Sequence, residues 1–453
     1  MSVLTSVLTF ACAMQAATAP PAPPATGATP ASAPATPPAP DAPAALQRMA
    51  VPPPLVPAPG ARSGSPNAAG RMPQPYSPGA RQFLVQPGQV WSHLLEDVAP
   101  GDEIVFAPGF HLAQKVTGLR GTKERPIVLR GRDAFPGAVG CADTGWHLER
   151  CGNLIIENMS FLNPGDAGIL VDGGGPAGQA PGDLWRADIV IRNCTFTGTR
   201  GKGEQDAVRV RACVDVTLDA LRMDGWDDSA VELDDARRVI VRGLMAAPAQ
   251  GLRNAHGVRV RGRSAEVLVT GAAFNAGTGT AIAVGSPGRD AWPVERTRVE
   301  RCLFDGVGTA VAMANVRELA FARSTVNEPT AAVWSIDPDA GIVADVSIDR
   351  LLVSWSPGAL RAFSPHPDRV PPTAFTLGDN LFHSAELPDA WSVLGAPYGV
   401  VRGTSTVDEA PMLDPATLRP RNPVAARFGA FAGLPAGSPT PSAPAPKPSA
   451  GTP

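Results

Sequence analysis

Apolar and polar residues alternate along this chain in short runs, and the runs return in one arrangement. An alternating run is followed, five residues after its centre, by another apolar residue. It reads Leu154-Ile155-Ile156-Glu157-Asn158-Met159-Ser160-Phe161, then Ile189-Val190-Ile191-Arg192-Asn193-Cys194-Thr195-Phe196. The pair recurs as Leu218/Met223, Val241/Ala246, Val269/Phe274, Val299/Phe304, Phe321/Val326, Ile348/Val353 and Leu377/Phe382. Successive anchors, from Ile156 on, are 35, 27, 23, 28, 30, 22, 27 and 29 residues apart. Period-two alternation places neighbouring side chains on opposite faces of a strand. Self-similarity at this spacing is the signature of stacked coils.

Six repeats carry a second strand 12 to 17 residues after the anchor: Gly168-Ile169-Leu170-Val171, Ala207-Val208-Arg209-Val210, Ala230-Val231-Glu232-Leu233, Gly257-Val258-Arg259-Val260, Ala281-Ile282-Ala283-Val284 and Ala310-Val311-Ala312-Met313. Each is small, apolar, variable, apolar, so the variable position faces outward. No helical periodicity separates them, and Gly, Asn, Asp and Pro punctuate the joints. Two or three short strands per turn, all running in one sense, predict an all-β solenoid: a right-handed parallel β-helix. A sandwich offers no reason for so regular a return. Asn158 and Asn193 are expected in left-handed turns, which Asn tolerates. Gly173-Gly174-Gly175-Pro176 marks an insertion that lengthens the first step.

A solenoid coil needs only its neighbours, so 453 residues need not split into several domains. Residues 20–81 and 434–453 are rich in Pro, Ala, Ser and Thr and are expected to be disordered, because they bury too little apolar surface. The β-helix is then assigned to residues 82–433. Residues 1–19 hold a short apolar stretch followed by small residues, as a signal peptide does, although no basic residue precedes it. The expectation is a secreted, periplasmic or cell-surface monomer. A net charge of −3 advertises no nucleic-acid partner, and no run of 18 apolar residues predicts a membrane span. Cys194 and Cys302 share one repeat position, as do Cys151 and Cys213. Coils stack about 4.8 Å apart, which separates both pairs too far for a disulfide and leaves only Cys141–Cys151 open.

The segments Leu94-Leu95-Glu96-Asp97-Val98-Ala99-Pro100-Gly101-Asp102-Glu103-Ile104-Val105-Phe106-Ala107-Pro108-Gly109 and Gly121-Thr122-Lys123-Glu124-Arg125-Pro126-Ile127-Val128-Leu129-Arg130-Gly131, with the repeats, resemble pectate-lyase-like β-helix proteins, including alginate- and chondroitin-lyase-like ones. The resemblance covers most of residues 90–390 and implies first coils and a cap near residue 100. It is specific for fold, which hosts lyases, hydrolases, esterases and adhesins alike.

Aligning the second strands by their inward residues produces three outward columns: Leu170, Arg209, Glu232, Arg259, Ala283, Ala312; Asp172, Arg211, Asp234, Arg261; and Asp206, Ser229, His256, Thr280, Thr309. One reading is a solvated salt-bridge ladder, which requires no substrate. Another is a groove for polysaccharide or oligosaccharide, with Arg209, Arg211 and Arg261 as carboxylate clamps and Trp226 as a stacking platform. Trp146, Trp185 and Trp334 are expected to pack. For uronate β-elimination the metal candidates are Asp206, Asp228, Glu232 and Asp234, oxygen donors suited to Ca²⁺. Arg259, His256 and Lys202 are base candidates. Arg253-Asn254-Ala255-His256-Gly257 approaches the Arg-His-Gly-Asn pattern of the lyase-like relatives, out of order. A polygalacturonase-like inverting hydrolase is a further alternative, with Glu204-Gln205-Asp206, Asp227-Asp228 and Ala255-His256-Gly257 in matching order and Asp206 catalytic. Its register frays, because Ser229 takes the position the acidic pair should hold. A non-catalytic carbohydrate-binding or cell-surface β-helix is the third alternative.

Overall fold

The computed structural model describes residues 75–132, 137–140, 144–174, 184–198, 205–247, 256–288, 291–337, 339–356, 374–384, 406–407 and 409–434. The expected leader, most of the Pro-rich arm, the tail beyond Leu434, Cys141 and Lys202 lie outside the described residues.

Alternating runs become strands because only the extended chain buries one face and exposes the other. One coil shows the plan. Leu154–Glu157 is followed by Met159–Leu162 and then Ala167–Asp172, one strand for each of three sheets. In that order the sheets hold 12, 12 and 9 strands, and each strand pairs in parallel with its equivalents in the flanking coils. The expected parallel β-helix is therefore the observed architecture. The six second strands all belong to the nine-stranded sheet. That sheet adds Gln114–Thr117 and Trp146–Glu149 at one end and Ala332–Ile336 at the other.

The first two strands of a coil meet at a residue with positive φ. Asn158 (55°) and Asn193 (52°) adopt the left-handed conformation expected of them. The same position is taken by Ala220 (51°), Gly243 (62°), Gly271 (61°), Arg301 (55°), Arg323 (48°) and Arg350 (53°). The turn is thus imposed by the coil, and Asn or Gly only lowers its cost.

The interior is one apolar stack from Val85 to Phe382. Phe161 stacks on Phe196 with ring centroids 5.0 Å apart, and Phe274 on Phe304 at 5.4 Å. Trp91, Phe106 and Trp146 form an edge-on cluster near the start of the stack, in the region where the resemblance implied a cap. Cys151, Cys194, Cys213 and Cys302 are free, buried thiols, as expected of packing residues. Trp334 is buried too, and half-buried Trp185 donates its Nε1–H to Cys151 O at 2.7 Å.

A charge ladder also runs up the first sheet. Arg130, Glu157, Arg192, Asp219 and Arg242 are successive partners in one column. Signs alternate strictly. Arg192 Nη2 lies 2.5 Å from Glu157 and Arg242 Nη2 lies 2.6 Å from Asp219.

Candidate functional site

The middle of the nine-stranded sheet reproduces the three columns expected from the sequence. Asp206 faces Ser229, which faces His256; Arg209 faces Glu232, which faces Arg259; Arg211 faces Asp234, which faces Arg261. Ala283 and Ala312 continue the second column, where charge stops.

Three carboxylates converge here. Oxygens of Asp206, Asp228 and Glu232 all lie within 4.8 Å of one another. Asp206 and Glu232 are fully buried, and Asp228 is half-buried beside them. Arg209 turns back along its own strand, donating Nε–H to Asp206 Oδ2 at 2.7 Å and Nη1–H to Asp166 Oδ1 at 3.0 Å. The amide of Ser229 donates to Asp206 Oδ1 at 3.1 Å. Arg259 Nη1 lies 3.1 Å from Asp228 and 3.8 Å from Glu232. Arg261 crosses diagonally, with Nη2 2.6 Å from Glu232 Oε1 and 3.5 Å from Asp234. That contact is ionic and lacks hydrogen-bond alignment, so neither Glu232 oxygen receives a hydrogen bond.

Two features separate this patch from the first-sheet ladder. The first is composition. Asp166, Asp172, Asp206, Asp228, Glu232 and Asp234 are tied to Arg209, Arg211, Arg259 and Arg261, so six carboxyl groups share four guanidiniums. The second is unmet hydrogen bonding. Gln205 Oε1, Ser229 Oγ, both Glu232 oxygens, His256 Nδ1 and Arg261 Nε are buried without a partner. Buried polar atoms are nearly always paired, so this concentration calls for a ligand, an ion or water.

The electrostatics follow from burial. Burial pushes the Asp206 carboxyl up to about 7, helped by negative Glu232 and opposed by Arg209. Burial also raises Glu232, against the pull of Arg261, Arg209 and Arg259, and it raises Asp234. The His256 imidazole is lowered by burial and then by Arg259, with Asp228 opposing. His256 is therefore neutral near pH 7 and able to accept a proton.

The sequence-predicted residues divide accordingly. Asp206, Asp228 and Glu232 come together, with His256, Arg209, Arg259 and Arg261 around them. Asp234 stands one step aside, in contact with Arg261. Arg211 is held by Asp172, with Nη2 to Oδ2 at 2.5 Å, and His147 Nε2 meets the same oxygen at 3.3 Å. Trp226 is a correction. It is fully buried and its Nε1–H donates to His256 O at 2.7 Å, so it offers no face to a sugar and instead holds the histidine strand. Lys202 lies outside the described residues. Asp166 was missed. It precedes the strand Ala167–Asp172 and its role depends on the reach of Arg209 across a coil, which no motif announces.

No family model matches the chain, and no curated protein matches it. Among solved structures, it is similar to a GH136 lacto-N-biosidase from Eubacterium ramulus, with 10% identity over 67% of this chain and 68% of that one and a TM-score of 0.45. An alginate lyase from a Paenibacillus species aligns at 14% identity over 64% of this chain and 99% of that one, TM-score 0.40. A mannuronic-acid-specific family 6 polysaccharide lyase from human gut microbiota aligns at 12% over 73% and 92%, TM-score 0.43. With one strand per coil in each of three parallel sheets, the chain is a parallel β-helix protein.

Proposed function

We propose that this β-helix binds a uronate-containing polysaccharide along its nine-stranded sheet and cleaves it by β-elimination. The observation that carries the reading is the cluster of Asp206, Asp228 and Glu232, whose oxygens lie within 4.8 Å of one another, with both Glu232 oxygens buried and lacking hydrogen bonds. These hard oxygen donors fit a Ca²⁺-like cation, with Asp206, Asp228 and Glu232 holding it. Such a cation, when bound, neutralises a sugar carboxylate and makes the adjacent C–H bond more acidic.

The chain's own residues supply the rest. Arg259 and Arg261 lie where a guanidinium fork can orient the sugar carboxylate. His256, neutral at pH 7, accepts the proton from the carbon next to that carboxylate. The electron pair released forms a ring double bond, and the glycosidic C–O bond breaks, its oxygen taking a proton from water. Trp226, through the carbonyl of His256, fixes the base.

The inverting-hydrolase alternative is less well served. It requires two carboxyl groups about 6.5–9.5 Å apart, with a water between them, whereas these three lie within 4.8 Å. The ladder alternative has its counterpart on the first sheet, where the five charges from Arg130 to Arg242 alternate in sign.

The test is a panel of uronate polymers followed at the ultraviolet absorbance of the unsaturated product, with Ca²⁺ and with chelator. Wild-type protein is expected to produce absorbance only with Ca²⁺, and His256→Ala to lower the rate about 100-fold or more. Tight binding without absorbance would convert the reading to a non-catalytic binding protein. No binding and no absorbance on any polymer would overturn it.

A further inference from the structure

We propose that Trp292, backed by Arg263, is a stacking platform for a pyranose ring at the rim of this sheet. The inference rests on the carbohydrate reading above and extends it to a place and a chemical contact.

Trp292 is 58% exposed, whereas Trp91, Trp146, Trp226 and Trp334 are all fully buried. An indole left in water forfeits much of the stabilisation its burial would give. Its position is built. The ring stands in the turn between the strands Thr280–Val284 and Val294–Glu300, at the corner where the nine-stranded sheet gives way to the first. One coil earlier the same corner carries Arg263, whose guanidinium carbon lies 4.0 Å from the centre of the indole ring. Arg263 is two residues from Arg261, which touches Glu232, and its amide donates to Asp235 Oδ1 at 2.7 Å. The platform therefore adjoins the carboxylate cluster along the chain and across the coils.

Described residues of the turn ahead of the tryptophan are hydrogen-bonded to neighbouring coils. Fully buried Asn315 donates its amide hydrogens to Ser286 O at 2.7 Å and Gly288 O at 2.6 Å. Its Oδ1 accepts from the amides of Gly341 and Ile342 at 2.8 and 2.9 Å. The amide of Ala291 donates to Gly288 O at 3.2 Å. One side chain thus joins three coils just before the tryptophan. A ring held by a cation over its π system loses little entropy when a ligand arrives. The apolar C–H face of a pyranose matches it.

The experiment compares wild type, Trp292→Ala and Trp292→Phe for binding of uronate oligosaccharides by calorimetry, in Ca²⁺. Thermal melts check that each variant is folded. In parallel, N-bromosuccinimide oxidation is mapped by peptide mass spectrometry with and without oligosaccharide. Trp292→Ala is expected to weaken binding about tenfold, with Trp292→Phe close to wild type. Oligosaccharide is expected to protect Trp292 from oxidation. If wild type binds, while Trp292→Ala binds equally and Trp292 stays unprotected, the platform is overturned and the carbohydrate reading stands. If wild type binds no oligosaccharide or polymer, both are overturned.

Discussion

Asp206 sits between two demands. Its carboxyl is buried beside Glu232, which favours the neutral acid, yet Arg209 lies 2.7 Å away and favours the anion. Burial wins, and the group is pushed up to about 7 from its ordinary 3.8. A raised carboxyl holds its proton in the fold while the unfolded chain has already released it. Its contribution to stability is complete below about pH 3.8, falls as pH rises, and is lost above about pH 7. In chelator at pH 8, Asp206→Asn is therefore expected to be more stable than wild type, by an amount of order 3 kcal/mol. Urea denaturation at pH 5 and pH 8 measures this, and an equal difference at both values would refute it. The same replacement is expected to weaken Ca²⁺ binding, which in wild type should decline as pH falls through about 7, because the ligand must first lose its proton. A residue that destabilises the fold at working pH and is still present is what a site, rather than a brace, requires.

Single strands and turns show how the coil constrains its residues. Asp172 ends the strand Ala167–Asp172. Burial would raise its carboxyl, but His147, Arg211 and the Gly174 amide together hold it below the ordinary range. Here the sign is opposite to that of Asp206. The stabilisation is present above about pH 4 and is lost as pH falls further. Asp172→Asn should cost about 2 kcal/mol at pH 7, because a buried carboxylate loses its charge-assisted hydrogen bonds to half-exposed Arg211 and to His147, and the penalty should shrink below pH 4 in acid-denaturation curves. The left-handed turn makes a different prediction. Ala220 is exposed and holds a φ of 51° that favours glycine. Ala220→Gly is expected to leave stability unchanged or raise it by up to about 1 kcal/mol in equilibrium unfolding. A loss beyond 1 kcal/mol would mean that the turn is not left-handed.

At the scale of the whole molecule, residues of the segment 409–434 pack on the outer face of the twelve-stranded sheet that holds Met159–Leu162. Phe428 packs with Leu352 and Leu381, and Phe431 with Leu303. These leucines point out of the coil, so the segment completes a second apolar layer. Phe428→Ala should cost about 3 kcal/mol in thermal or denaturant unfolding without altering Ca²⁺ binding, since the carboxylates lie on a different sheet. The coil architecture and the three columns of the nine-stranded sheet were legible in the chain, because period-two alternation at a regular return leaves a single way to bury every apolar face. Asp206, Ser229 and His256 were aligned from the sequence, and the fold pairs them so. Other features were out of reach. Trp226 sits beside Asp227 and Asp228 in the sequence, yet its indole enters the core. Arg130, Glu157 and Arg192 are far apart in the chain and form a ladder only because they take one position on three successive coils. Trp292 stands in a turn that no repeat announces, and its partner Arg263 comes from the previous coil. Alternation along a strand determined the fold and the register, since both are properties of one dimension. Which carboxylates converge, which guanidiniums they meet and which indole stays in water depended on side-chain reach across coils, and only the tertiary structure decided those.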